Sequence, residues 1–334
     1  MKSNSKKPLT ITEIQQIIDA SFGTTKLGSI IELTDGWFNT AYSIEIPDLG
    51  QEVVMKVAPP SEVKILTYEK NIMKTEVQVY KILKEKTDVP VPKILSINFN
   101  QDIINRDYFI MEKLKGTPWN KIESKLSREL NDQLKYKTGV YAAQINSITG
   151  NHFGYFTDSK KPYNKNWKNT IVNMIKNVLD DGIELKAEIP QSPQTIKKLI
   201  ETKAEILEDV KVPRLVHWDL WEGNIFIIEQ EKGKYSIEGI IDCERALWGD
   251  PLIEYEFMHA PSNKAFLQGF ETETKEKFVF TNDLEQRRQL YNVYLFLIMV
   301  TEANSRGYYG SEAMKIIEWA KIELQNNLSQ LEKK

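Results

Sequence analysis

One stretch constrains the chain more than any other: Leu215-Val216-His217-Trp218-Asp219-Leu220-Trp221-Glu222-Gly223-Asn224-Ile225-Phe226-Ile227. An apolar pair leads in, a polar turn follows, and a β-type run from Ile225 to Ile228 leads out. The turn sets His, Asp and Asn in the spacing H-x-D-x-x-x-x-N. A second apolar run, Ile237 to Ile241, ends in Asp242. Two carboxylates and one carboxamide at the ends of adjacent strands can orient a hydroxyl nucleophile and hold magnesium on a nucleoside triphosphate. In that reading Asp219 accepts the proton of the attacking hydroxyl, an effect of about 10²–10⁴-fold. Asn224 and Asp242 offer the hard oxygen ligands that magnesium prefers. His217 braces the loop by hydrogen bonds. Alone, the motif fixes only three positions, and a lone Asp in a turn is an ordinary turn former. The flanking strands and Asp242 supply the context the motif requires.

Composition removes other classes. A chain of 334 residues can bury roughly three quarters of its unfolded surface in one large or two modest domains. Its apolar and charged fractions, 41% and 27%, are those of a soluble globular protein. A net charge of −3 without a long basic run argues against a nucleic-acid partner. The single cysteine, Cys243, excludes an intramolecular disulfide and reads as a small buried residue beside Asp242. Met1 to Lys7 is basic but lacks an apolar segment behind it, and the longest apolar stretch, Leu290 to Val300, is too short to span a bilayer. A cytoplasmic protein with no membrane partner is expected. The histidines, His152, His217 and His259, show no metal-ligand spacing, and neither G-x-S-x-G nor H-E-x-x-H occurs.

In chain order, Thr12 to Gln15 fits a capping box, Ile14, Ile17 and Ile18 form a helical stripe, and Gly23 ends that helix. β-like runs follow at Ser29–Leu33, Ala41–Ile46 and Val53–Val57, with Asp48 to Gly50 turning the last two into a hairpin. Lys56, inside the third run, is either an exposed-face residue or a placed charge. Leu66 to Lys84 reads as a helix on which Met73, Tyr80 and Leu83 share the face of Glu76. A Glu on an apolar face calls for a partner. Val89 to Leu95 is an extended entry into a strand, and Asp107 to Glu112 is another strand. Leu130, Leu134, Tyr141 and Ile145 mark a helix; Phe153 to Asn166 is a polar loop; Trp167–Leu179 and Gln194–Val210 are further helices. Asp250 as N-cap and Pro251 at the first position open another helix, which accounts for Gly249-Asp250-Pro251 structurally. Leu284–Thr301 is helical with Tyr291, Tyr294 and Phe296 as packing aromatics, and Ser311 caps a last helix carrying Met314, Ile317, Trp319 and Leu324.

The stretch L-V-H-W-D-L-W-E-G-N-I-F-I, together with I-I-D-C-E-R-A-L-W-G-D-P, resembles the aminoglycoside phosphotransferase and choline kinase superfamily, small-molecule kinases that share the protein kinase fold. The resemblance runs from about Leu33 to Glu256. It implies an α+β bilobal fold, with an N-terminal nucleotide-binding lobe over residues 1–112 and a mainly helical catalytic and acceptor-binding lobe over 113–334. It implies ATP and Mg2+ as cofactors and a small-molecule hydroxyl acceptor as partner. Lys56 then reaches the α- and β-phosphates, fixed by Glu76, with Glu69 the second choice. The turn from Thr34 to Thr40 falls where a kinase folds a loop over phosphates. It carries one glycine, so backbone N–H groups from Trp37 through Asn39 to Thr40 are the candidate phosphate binders. Lys113 to Gly116 is the hinge, where backbone groups of Glu112 and Leu114 read adenine with Met111 behind the base.

Three readings remain. The first is an ATP-dependent kinase of a small-molecule hydroxyl, with an amino sugar or aminoglycoside favoured and choline, ethanolamine, homoserine, fructosamine and macrolide acceptors open. The second is a non-catalytic nucleotide-binding module, whose signature would be loss of Asp219 or Asp242; both are present. The third is a protein kinase, disfavoured because D-F-G, A-P-E and G-x-G-x-x-G are absent. Glu222, Glu244, Glu254 and Glu256 either attract a cationic acceptor or form a solvated face.

Overall fold

The computed structural model describes residues 5–156, 162–254, 262–307 and 310–333. The first described helix, α1 (Ile11–Phe22), has its N-cap two residues before the Thr12 that the sequence suggests. Its N-cap is Thr10: Thr10 Oγ1 accepts the Glu13 N–H and the Glu13 carboxylate accepts the Thr10 N–H. Gln15, three residues after Thr12, spends its amide on Asp19 and the Thr25 carbonyl, which leaves the reciprocal pair to Thr10 and Glu13. Gly23 ends the helix as expected.

A five-stranded antiparallel sheet follows, β1 (Ile30–Leu33), β2 (Thr40–Ile46), β3 (Gln51–Val57), β4 (Ile94–Asn98) and β5 (Tyr108–Glu112), in the order β1-β2-β3-β5-β4. The β2–β3 hairpin turns at Pro47–Leu49 and Gly50, whose φ of +60° is a left-handed position that glycine takes without cost. One face of the sheet closes on α1 through Ile14, Ile17, Ile44, Met55 and Ile110. The other face, through Val54, Phe109 and Met111, joins the main core.

Between β3 and β4 the expected single helix is broken. A 3-10 turn at Thr67–Glu69 precedes Asn71, which sits at φ +63°, and α2 (Ile72–Lys86) begins there. Asparagine tolerates that conformation, so the chain changes direction without glycine.

After Glu112 the chain is mainly helical, with short strands β6 (Thr117–Pro118), β7 (Gly154–Tyr155), β8 (Arg214–Val216), β9 (Ile225–Glu231), β10 (Lys234–Ile240) and β11 (Leu247–Gly249). They form two three-stranded sheets, β10-β9-β6 and β7-β11-β8. The helices are α3 (Arg128–Ser147), α4 (Trp167–Glu184), α5 (Pro193–Lys203), α6 (Lys264–Thr274), α7 (Asn282–Arg306) and α8 (Ser311–Glu332). Gly139 and Gly269 let α3 and α6 cross closely: a Cβ on either would stand about 2 Å from a backbone carbonyl oxygen of the other helix. Helix α7 is buried on all sides from Gln289 through Ile298, so it is a central core helix. Tyr291, Tyr294 and Phe296 are core, as the sequence suggests. Ser311 is the first helical residue of α8 and Gly310 its cap, while Met314 and Trp319 are half exposed. The segment after Asp250 is a short 3-10 turn, Pro251–Glu254; Glu256 and His259 lie outside the described residues. Among the described residues no helix is long and apolar enough to cross a membrane.

Candidate active site

Strand β8 delivers the chain into the loop that carries His217 and Asp219, and β9 carries it away after Asn224. His217 is buried and neutral: burial pushes its pKa down to about 4. Its Nε2 donates to the Ile241 carbonyl at 3.0 Å, and its Nδ1 accepts the Asp219 N–H at 3.2 Å. The imidazole therefore ties the loop to the residue that precedes Asp242. Asn224 Nδ2 donates to Asp219 twice, to the backbone oxygen at 2.9 Å and to Oδ2 at 3.0 Å. With its amino group committed there, Asn224 keeps its carbonyl oxygen for another partner. The backbone oxygen of Asn224 accepts the Ile241 N–H at 2.9 Å, which brings the β10 end against the loop.

Trp218, between His217 and Asp219, sits at φ +56°. A bulky residue there costs roughly 1–3 kcal/mol and persists only where its surroundings enforce it. Two contacts do so. The Trp218 ring stacks on Tyr294 of α7 at 5.0 Å and 5°. The carboxylate of Glu254 accepts the N–H of Trp218 at 2.6 Å and of Leu220 at 3.0 Å, gripping the backbone on either side of Asp219. Burial raises the Asp219 carboxyl to about 6, against the pull of Arg245. Burial likewise raises Glu254 to about 7.

Lys56 and Glu76 meet at 2.7 Å with both side chains buried, and Lys56 also reaches Asp242 Oδ1 at 2.9 Å. Burial opposes the Lys56 charge, but Asp242 and Glu76 outweigh it and hold the ammonium protonated. Burial alone would raise the Asp242 carboxyl; Lys56 reverses this and keeps it below the usual carboxylate range. Tyr80, one turn beyond Glu76, donates to Glu76 Oε1 at 2.7 Å and accepts the Asp242 N–H at 2.9 Å. Glu69, the second choice for Lys56, is spent elsewhere: it takes the Leu66 N–H at 2.6 Å and pairs with Arg306 of α7.

Glu76, Asp242 and Glu244 present carboxylate oxygens within 4.8 Å of one another. Burial and Asp242 push the Glu244 carboxyl well above the usual range. The Lys56 ammonium is shared between Glu76 and Asp242, and Glu76 Oε2 is buried without a partner among the described residues. The donor chemistry of Asn224 and Asp242, a carboxamide oxygen beside an ionised carboxylate, fits a hard divalent cation.

The remaining expected residues are placed as follows. Trp37 is partly exposed at the tip of the turn before β2. The Asn39 side chain does not face an open loop; its Nδ2 donates to Glu244 at 2.7 Å. Thr40 is buried at the start of β2, its hydroxyl on the Lys7 carbonyl at 3.4 Å. Met111 is buried beneath the hinge. The Glu112 N–H already donates to the Lys93 carbonyl at 2.9 Å, so it is not free to read a base. Leu114 packs over Gly239, and Glu238 accepts the N–H groups of Lys115 and Gly116, fixing the hinge to β10. Asp250 takes the Leu252 N–H at 3.1 Å, Tyr291 Oη at 2.7 Å and Arg287 at 3.0 Å, a structural post as expected. The sequence singles out Glu254, Glu244 and Tyr80 but with other roles: in the structure Glu254 grips the loop backbone, Glu244 accepts from Asn39, and Tyr80 joins Glu76 to Asp242.

The family model described as "Phosphotransferase enzyme family" matches residues 29–272. The chain belongs to that phosphotransferase family. No curated protein sequence matches it. Solved structures similar to it include a candidate aminoglycoside phosphotransferase of Ralstonia eutropha JMP134, 13% identical with a TM-score of 0.64, covering 98% of this chain and 99% of that one. A thermostable mutant of the aminoglycoside phosphotransferase APH(4)-Ia with AMP-PNP and hygromycin B is 16% identical, TM-score 0.62, over 95% and 98%. The GDP and kanamycin complex of an APH(2″) enzyme is 17% identical, TM-score 0.64, over 95% and 98%. At these identities the structures establish the fold, which is kinase-like and α+β; the family match makes the protein a phosphotransferase.

Proposed function

We propose that this phosphotransferase is ATP-dependent and moves the γ-phosphate to a hydroxyl of an amino sugar or aminoglycoside. The supporting observation is two sets of hydrogen bonds, Asn224–Asp219–His217 and Asp242–Lys56–Glu76–Tyr80, joined where His217 holds the carbonyl of Ile241 next to Asp242. Asp219, ionised above about pH 6, accepts the proton of the acceptor hydroxyl. Asn224 Oδ1 and the Asp242 carboxylate hold Mg2+, which neutralises charge on the phosphates when bound. Lys56, fixed by Glu76, offers its remaining N–H to phosphate oxygens. Backbone N–H groups of the turn around Trp37–Thr40 cover the phosphates, and the Leu114 N–H reads the base. His217 and Glu254 hold Asp219 in place and move no proton. The Asp219 and Asp242 carboxylates, with Glu222 at the loop, favour a cationic acceptor, in keeping with relatives that bind kanamycin and hygromycin B.

The test is ADP release by the purified protein with Mg2+ and ATP or GTP. The acceptor panel spans aminoglycosides, simple amino sugars, choline, ethanolamine, homoserine, fructosamines and macrolides. Magnesium-dependent turnover with an amino-sugar acceptor is expected. Binding of nucleotide without turnover of any hydroxyl would overturn the reading.

A further inference from the structure

Behind the nucleotide side of α2 lies a cleft that the proposed reaction does not use. It holds about 350 Å³ between the second half of α2 and β4, within the range of small-molecule sites. Lys81 and Lys84 border it from α2 and Lys93 from the entry to β4, over a floor that includes Tyr80, Ile94 and Ile97. No acidic side chain lines it. Among the described residues none of these three lysines makes an ion pair. At the hinge end the Glu112 carboxylate accepts the Lys93 N–H at 2.9 Å. Helix C-termini favour lysines, which accounts for Lys84 and Lys86 in the last turn. It does not account for Lys93 facing them from the sheet across an apolar floor.

We propose that this cleft is a second ligand site, for a small phosphate ester with an apolar body, and that Tyr80 couples it to the front of α2. Three lysines supply the charge for a dianionic phosphate, and Ile94 and Ile97 supply the apolar contact. The link forward is short. Tyr80 lines the cleft, and its hydroxyl holds Glu76, the anchor of Lys56, and the Asp242 N–H. A ligand that shifts α2 or the Tyr80 ring therefore changes the geometry that fixes Lys56 and Asp242. That differential contact is what a coupling between two sites requires.

The coupling rests on the proposed nucleotide site; the binding does not, so residue-resolved NMR on the full chain separates them. Titration with phenyl phosphate shifts the amides of Lys81, Lys84, Lys93 and Ile94 saturably, and inorganic phosphate binds more weakly. Lys84→Glu with Lys93→Glu weakens phenyl phosphate at least about tenfold, a loss expected when charge-assisted contacts reverse sign. Lys26→Glu with Lys232→Glu, an equal charge change at exposed lysines elsewhere, leaves affinity within about twofold. No saturable shift in the cleft, or equal weakening in both double variants, overturns the site. Saturating phenyl phosphate changes the affinity for magnesium AMP-PNP by about fivefold or more, and in Tyr80→Phe this effect vanishes while the cleft shifts remain. An unchanged AMP-PNP affinity in the native chain, or coupling that survives in Tyr80→Phe, overturns the link. Failure of AMP-PNP to bind at all refutes the front-site reading and leaves the cleft shifts to be judged alone.

Discussion

Replacing Asp219 by Asn separates positioning from proton acceptance. The side chain keeps its shape, and its carbonyl oxygen can still accept from Asn224 Nδ2, as Asp219 Oδ2 does at 3.0 Å. The backbone grip by Glu254 and His217 involves main-chain groups and survives the change. Nucleotide affinity should therefore stay within about threefold, since Lys56, Glu76 and Asp242 are untouched, while turnover falls by about 10²–10⁴, the range for losing a positioned base. The native enzyme carries the matching pH signature. With the carboxyl at about 6, the base is nearly fully ionised at pH 7.5 and only about a tenth ionised at pH 5. The limiting rate should then fall about tenfold per pH unit below 6, while the Asp219→Asn variant shows no such limb. Coupled ADP release from pH 5 to 8.5 measures the rate, and titration with a fluorescent nucleotide analogue measures binding. A variant that turns over at the native rate, or that retains the acidic limb, would refute Asp219 as the base.

Three further outcomes follow from the same contacts. Glu254→Gln can accept only one of the two N–H groups of Trp218 and Leu220, and leaving a buried donor unmet costs roughly 1–3 kcal/mol; the turnover number should fall with nucleotide affinity nearly unchanged, read by urea unfolding beside steady-state rates. Glu76→Gln removes the carboxylate anchor of Lys56, which keeps Asp242; a loss of about 3 kcal/mol and at least about tenfold weaker nucleotide binding are expected, and intact affinity would show that Asp242 alone fixes the lysine. His217 is held neutral with a folded value of about 4 against about 6.5 when unfolded, so the unfolded chain binds the extra proton and stability is lost as pH falls from about 6.5 to 4, by about 3 kcal/mol. His217→Gln, which cannot titrate, should lose that part of the acid sensitivity in unfolding curves at pH 7.5 and 4.5, and an unchanged pH slope would place the sensitivity elsewhere.

What the sequence made legible is what local chemistry carries. The H-x-D-x-x-x-x-N turn lies between two short apolar runs, and the run ending in Asp242 pairs beside the run that follows Asn224: Ile240 stands opposite Ile225. A Glu on an apolar helix face calls for a partner, and the family resemblance supplied Lys56 as that partner; the two meet at 2.7 Å. Less legible were partners brought from far along the chain. Glu254 reads as one more acid after a Pro turn, yet it is buried because two backbone N–H groups beside a left-handed Trp218 need acceptors. Glu69 stands as the second choice behind Glu76, and the break at Asn71 removes it by turning it toward Arg306.

The same tertiary logic explains why the loop before β2 misleads as a sequence. Its single glycine, Gly36, suggests an open hairpin turn, and nothing local says that it is held down. Yet the Asn39 amide reaches Glu244, 205 positions away, and Phe38 packs under the Arg306 guanidinium at 5.2 Å. Arg306 in turn holds Glu69, and its neighbour along α7, Glu302, holds Arg245 at 2.8 Å. The loop is thus fixed by charges from α7 and from the residues just past Asp242, in place of the backbone freedom that a glycine-rich sequence provides. Buried ion pairs of this kind give little net stability because desolvation offsets their attraction. Their contribution here is geometric: they set the loop, Asp242 and α7 in one register, so a substitution at Glu302 should disturb the loop near Asn39 even though the two are far apart in the chain.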